Sequence, residues 1–180
     1  IEDANDAVPL AKALVAGGLP VLEITLRSAA AEESIKRIIA EVPDAITGAG
    51  TVINAKQMER MAKIGCAFAV SPGHTKSLLK AAKDTGVPLL PGAGTPSEIM
   101  YLLEHGYDML KFFPAEQQGG VSMLDAPGQP FHAPEADNAL FEALERTVRT
   151  TQQLSLIPSR RSRRPYAHGA TVVALRATAL

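Results

Sequence analysis

The chain is short of several things, and each shortage removes a class of protein. No apolar run approaches the roughly 20 residues that a helix needs to cross a bilayer, and no secretory signal opens the sequence. Cys66 is the single cysteine, so no internal disulfide can form, which points to a reducing cytoplasm. A net charge of −1 leaves no bulk field for nucleic acid or a membrane surface, and 46% hydrophobic residues argue against disorder. Metal-ligand spacing is missing too: His74 and His105 sit at or near expected helix ends without companions and read as structural. Cys66 itself reads as a small core residue ahead of a strand. The first residue is Ile1 rather than Met, from which a missing N-terminus is expected.

What is present is a repeat. The 180 residues suffice for one domain with a substantial core, and strand-like apolar runs begin near Val21, Ala45, Ala67, Pro88 and Met109, at spacings of 24, 22, 21 and 21. Helical periodicity fills the intervals: Asp6 to Val15, Ala30 to Ile39, Ala55 to Ile64, Ser77 to Lys83 and Pro96 to Glu104. Thr95-Pro96-Ser97-Glu98 combines an N-cap, a first-turn proline and a capping-box glutamate; Asn54 with Gln57 is a similar arrangement. Gly65, Gly86 and Gly106 stand where helices should stop. Short strands alternating with helices predict a parallel sheet with right-handed crossovers. A unit of this length allows eight repeats in about 200 residues, the lower end of a (β/α)8 barrel. A doubly wound open sheet is the structural alternative, but no dinucleotide fingerprint follows the first strand.

Lys111 lies in the apolar run Met109-Leu110-Lys111-Phe112-Phe113-Pro114. Taken alone, the run describes a strand-end lysine that snorkels to water or meets a carboxylate. The other reading is a desolvated amine whose lowered pKa makes it a nucleophile near neutral pH.

In Val21-Leu22-Glu23-Ile24-Thr25-Leu26-Arg27, Glu23, Thr25 and Arg27 share one face and Leu22, Ile24 and Leu26 the other. Both faces of a parallel βα sheet are usually covered, so the polar face points into the barrel and forms a site wall. Gly48-Ala49-Gly50-Thr51 recurs as Gly92-Ala93-Gly94-Thr95 two units later, and Ser71-Pro72-Gly73 ends the strand between them. Glycine at the C-terminal ends of barrel strands lets a ligand approach the backbone, although such turns are also common in purely structural loops.

With these residues on strand ends, the chain resembles the bacterial 2-keto-3-deoxy-6-phosphogluconate aldolases, also called 2-keto-4-hydroxyglutarate aldolases. The matching stretches are VPLAKALVAGG at 8–18, VLEITLR at 21–27, GAGTV at 48–52, SPG at 71–73 and KFFPAE at 111–116. The resemblance implies a (β/α)8 class I aldolase, cytoplasmic, a homotrimer when intact, acting on a small 2-keto acid without metal or cofactor. It implies that Lys111 forms the Schiff base and that Glu23 moves protons. Arg27 and Thr51 would hold the pyruvate-end carboxylate, and Pro72 and Phe113 would shape the pocket.

The likeness covers about residues 1–124, a partial barrel of about five βα units. Residues 125–180 depart from it. The family would continue with a strand, a CPTGGI-like segment and a further strand whose glycines help bind phosphate; none follows. All eight lysines lie at or before Lys111, seven of ten arginines lie at or after Arg146, and no Asp or Glu follows Glu145. A shift this sharp suggests another reading frame or a recombined end. Within the tail, Phe141 to Arg149 could form a short amphipathic helix and Ala170 to Ala177 a strand, and neither carries a site motif. The basic run from Ser159 to Pro165 has no interleaved aromatics, so neither nucleic acid nor membrane is expected as a partner. An array of five strands should leave two open sheet edges, and with them aggregation and loss of activity.

Overall fold

The computed structural model describes residues 1–119, 131–132 and 173–177. Five βα steps run through the first of these segments. Helix α1 (Ala7–Ala16) precedes β1 (Val21–Thr25), then come α2 (Ala31–Glu41), β2 (Ile46–Gly50), α3 (Ala55–Ile64), β3 (Phe68–Val70) and α4 (Lys76–Thr85). Pro91 cannot donate to a ladder, and it splits the next strand into β4 (Leu89–Leu90) and β5 (Gly92–Ala93). Helix α5 (Pro96–Glu104) and β6 (Met109–Phe112) complete the series.

The helices form where the sequence predicts them, within one or two residues at each end, and for the expected reasons. The Asn54 side chain accepts from the Gln57 amide at 2.9 Å, and Gly65 ends α3 at φ +94°, which favours glycine. Thr75, which sequence reading did not single out, caps α4 by accepting from the Leu78 amide at 3.2 Å. Thr95 and Glu98 close a complete capping box on α5.

Strands β1 to β4 pair in parallel in chain order, and β5 pairs in parallel with β6. This is an incomplete (β/α)8-type barrel. Two apolar clusters lie on opposite sides of its wall. Leu22, Ile24, Ala49, Ala69, Leu89, Leu110 and Phe112 face outward and pack with helix residues such as Ile35, Met58, Leu78 and Ile99. Val21, Phe68, Val70 and Leu90 form a smaller cluster inside, with Met109 packed against it. Each fully buried aliphatic side chain in the outer layer contributes roughly 1.5–3 kcal/mol. The inner cluster runs from Val21 at the start of β1 to Val70 and Leu90, the last residues of β3 and β4.

The far edge of β6 is not open. Strand β8 (Val173–Ala177) lies antiparallel to it, with Ala174 opposite Lys111, and β7 (Phe131–His132) pairs with β8. The strand expected within Ala170 to Ala177 therefore exists, and it covers one of the two edges that a bare five-strand array would leave. Among the described strands, β1 has β2 as its one partner. The helix considered over Phe141 to Arg149 lies outside the described residues.

Candidate active site

The inner face of β1 carries Glu23, and β6 carries Lys111. Lys111 is 7% exposed, and burial pushes its amine below the usual lysine range. The Glu23 carboxylate works against that shift and the Arg27 guanidinium adds to it. Glu23 keeps solvent-accessible surface, yet protein surrounds its carboxyl closely enough for desolvation to raise its pKa, against the pull of Lys111 and then Arg27. The two observations fit one place, the concave wall of a barrel that is open on one side. Water reaches Glu23 there without solvating it fully. No ion pair within 4.0 Å joins Glu23 to Lys111 among the described residues. The two groups sense each other through space and leave room between them.

Other side chains gather around this pair. The Lys111 ammonium lies over the Phe113 ring, 4.9 Å from its centroid. Arg27 donates through Nε to Thr51 Oγ1 at 3.3 Å, which joins the ends of β1 and β2. Thr51 adopts φ +59°, the left-handed region, where a β-branched residue is strained by about 1–3 kcal/mol. Pro72 reaches the site indirectly, because its carbonyl packs over Gly92, the register partner of Lys111.

Sequence reading took these glycines as places where a ligand approaches the backbone, or as structural turns, and the structure gives them tasks within the wall itself. A Cβ on Gly50 would fall 1.8 Å from Glu23 Oε1, and one on Gly48 would fall 2.4 Å from the Phe68 ring. These two inward-facing positions must be bare for Glu23 and Phe68 to occupy the barrel. Gly92 is bare for another reason: a Cβ there would lie 2.2 Å from the Pro72 carbonyl oxygen.

The repeated tetrapeptide is not one device used twice. Thr51 stands at positive φ beside Arg27, whereas Thr95 is extended at φ −127° and caps α5. His105 donates through Nδ1 to the Tyr101 carbonyl, 2.7 Å away, at the end of α5. Cys66 is buried, and burial lifts its thiol to about 11, so it is an inert core residue. Among the described residues no group of three or more His, Cys, Asp or Glu is arranged to hold a metal ion, and no helix is long and apolar enough to cross a membrane.

Chemically, the arrangement offers an amine poised to lose its proton, a carboxyl poised to keep one, and a guanidinium beside them. These are the parts of imine chemistry on a keto acid.

Comparison with known proteins agrees in kind. The family model for "KDPG and KHG aldolase" matches residues 1–135, somewhat beyond the boundary near residue 124 that the motifs suggested. The chain is 54% identical over 131 residues to a 2-dehydro-3-deoxy-phosphogluconate aldolase of Pseudoalteromonas atlantica, covering 73% of this chain and 61% of that protein. It is 50% identical over 131 residues to the KHG/KDPG aldolase of Escherichia coli K12, covering 73% and 62%. Among solved structures, the KDPG aldolase of Legionella pneumophila, with pyruvate captured at low pH as a covalent carbinolamine intermediate, superposes with a TM-score of 0.68 at 46% identity. That match covers 70% of this chain and 61% of that one. The chain thus spans about six tenths of the length of the curated relatives it matches. A second family model, the C-terminal domain of an uncharacterised family (UPF0261), matches residues 112–178 and overlaps the first. With the family model matching residues 1–135, most of the chain, this chain belongs to the KDPG and KHG aldolase family.

Proposed function

We propose that the chain carries the Schiff-base half of a class I aldolase that cleaves 2-keto-3-deoxy-6-phosphogluconate to pyruvate and glyceraldehyde 3-phosphate. The observation that carries the reading is the desolvated Lys111, electrostatically coupled to Glu23 and Arg27 on the inner wall. In its neutral form Lys111 attacks the C2 ketone. Glu23 donates a proton as water leaves the carbinolamine, which yields a cationic imine. The C3–C4 bond then breaks, with its electron pair flowing into the imine to give an enamine, while the C4 hydroxyl proton passes to Glu23. Protonation of the enamine at C3 and hydrolysis release pyruvate and restore Lys111. Arg27 and Thr51 hold the substrate carboxylate, for which a planar guanidinium fork is suited, and Phe113 and Pro72 shape the pocket. The setting is the cytoplasm, with a homotrimer as the assembly of an intact barrel.

One observation favours a second substrate. No CPTGGI-like, glycine-ended phosphate segment follows residue 124, which biases the chain toward 4-hydroxy-2-oxoglutarate, cleaved to pyruvate and glyoxylate. The same observation supports a foreign origin for residues 125–180 and allows for an inactive remnant.

Pyruvate release from each substrate, with Lys111→Ala as control, decides among these readings. Release from either that is lost in Lys111→Ala supports the aldolase, and the faster substrate identifies the specificity. A soluble, folded protein that releases none is the remnant. Translating the two alternative frames after codon 124 tests the frameshift: absence of a CPTGGI-like segment from both would reject it.

A further inference from the structure

Lys111 is fixed to its neighbour strand by two backbone bonds. Its own amide donates to the Pro91 carbonyl at 2.9 Å, and the Phe113 amide donates to the Ala93 carbonyl at 3.1 Å. The position of the amine therefore depends on how firmly Pro91–Ala93 is held from its other side. On that side the parallel ladder runs from β3, where the Ser71 amide donates to the Leu90 carbonyl at 3.0 Å. The next acceptor in the ladder is the Gly92 carbonyl, and a regular strand would meet it with the amide of residue 73. Instead the chain turns at Pro72. The Gly73 amide faces Ser71 Oγ at 3.4 Å, and the Ser71 hydroxyl donates back to the Gly73 carbonyl.

The orphaned Gly92 carbonyl is met by a side chain. His74 Nδ1 lies 2.9 Å from it. A carbonyl can only accept, so Nδ1 bears the hydrogen and the imidazole takes the place of the absent backbone donor. The ring is itself held: it stacks on Tyr101 at 5.4 Å between centroids and 14° between planes, and Tyr101 stacks on His105 at 4.2 Å and 29°. The following residues are tied from the helix side. Glu98 accepts from the Gly94 and Thr95 amides at 2.9 and 3.0 Å, and these bonds, the Gly94 amide first, hold its carboxyl below the usual range.

We propose that His74 is a positioning residue for the Schiff-base lysine, supplying through its imidazole the donor that β3 lacks for the Gly92 carbonyl and so fixing the strand segment on which Lys111 is registered. The inference rests on Lys111 being the imine-forming residue. It assigns a role to a histidine that sequence reading took as merely structural.

Two substitutions separate the hydrogen bond from the packing. His74→Phe keeps an aromatic ring against Tyr101 and removes the donor. His74→Asn keeps a donor near the Nδ1 position and removes the ring. Both are compared with wild type by borohydride trapping of pyruvate on the full chain, by thermal melting, and by hydrogen exchange at the Lys111 and Phe113 amides. At saturating pyruvate, His74→Phe should trap roughly tenfold more slowly, since small misplacements of a reacting group are costly, with little change in the pyruvate concentration giving half-maximal rate. His74→Asn should recover most of the rate, and exchange at both amides should quicken in His74→Phe and recover in His74→Asn. Equal trapping in His74→Phe and wild type, or equal slowing in both variants, overturns the proposal. A wild type that traps nothing overturns the aldolase reading instead. Amide protection then decides on its own, and unchanged protection in His74→Phe overturns the positioning role.

Discussion

Burial of Lys111 lowers its pKa, and its two charged neighbours act on it in opposite senses. That sets the sign of two experiments. Imine formation needs the neutral amine, so the trapping rate with pyruvate should rise with pH to a midpoint below 10.5, the ordinary lysine value. Glu23→Gln removes the anion that holds the Lys111 pKa up, so the midpoint should move to lower pH, while loss of the proton carrier reduces the maximal rate. Arg27→Ala removes a cation that pushes the pKa down, so the midpoint should move to higher pH. Both midpoints moving in the same direction would contradict the electrostatic account. Gly50→Ala tests the geometry: its Cβ would fall 1.8 Å from Glu23 Oε1, and displacing that carboxylate should cut trapping roughly tenfold or more. Melting temperature and circular dichroism check that the fold persists. At this scale Lys111, Glu23 and Arg27 were legible because a charge in an apolar run, or a polar stripe in a covered sheet, is a visible anomaly. The tasks of Gly50 and His74 were not, since each depends on a neighbour 18 or more positions away that no local pattern reveals.

Whole elements were easier to read than their ends. Helix α3 occupies the expected Ala55–Ile64 because Asn54 and Gly65 mark both boundaries with side-chain chemistry. Helix α4 extends from Lys76 to Thr85, beyond the expected Ser77 to Lys83, because Thr75 caps it and Gly86 at φ +71° ends it. Thr95 closes the α5 capping box, so Thr95→Ala should destabilise the protein by about 1 kcal/mol, read as a lowered denaturation midpoint; Thr51→Ala, in the identical tetrapeptide, should not disturb a helix. Strand β8 offers a second test. Because Lys111 and Phe113 donate toward β5, the Leu110 and Phe112 amides point toward β8. Leu175→Pro removes a ladder donor from a strand flanked on both sides. It should quicken hydrogen exchange at Leu110 and Phe112 more than at Lys111. Unchanged exchange would mean that the pairing contributes little to holding β6.

Across the molecule, the sequence carried the barrel class and the inner and outer faces of its wall, because periods of two and of 3.6 residues alternate without interruption up to β6. It could not predict that β8 would return antiparallel to cover the edge of the lysine-bearing strand. Pairing between segments some 60 residues apart leaves no periodic trace. The molecule is therefore an incomplete family barrel whose β1 carries Glu23 and β6 carries Lys111, the two residues of the proposed site, and whose β6 edge is shielded. The most direct test of this account is borohydride reduction of the full chain with pyruvate, followed by mass mapping. The account predicts one pyruvate-sized adduct, on Lys111, absent from Lys111→Ala and formed below the pH at which an ordinary lysine would react. A folded, soluble protein that gains no adduct, or gains it on another lysine, would contradict it.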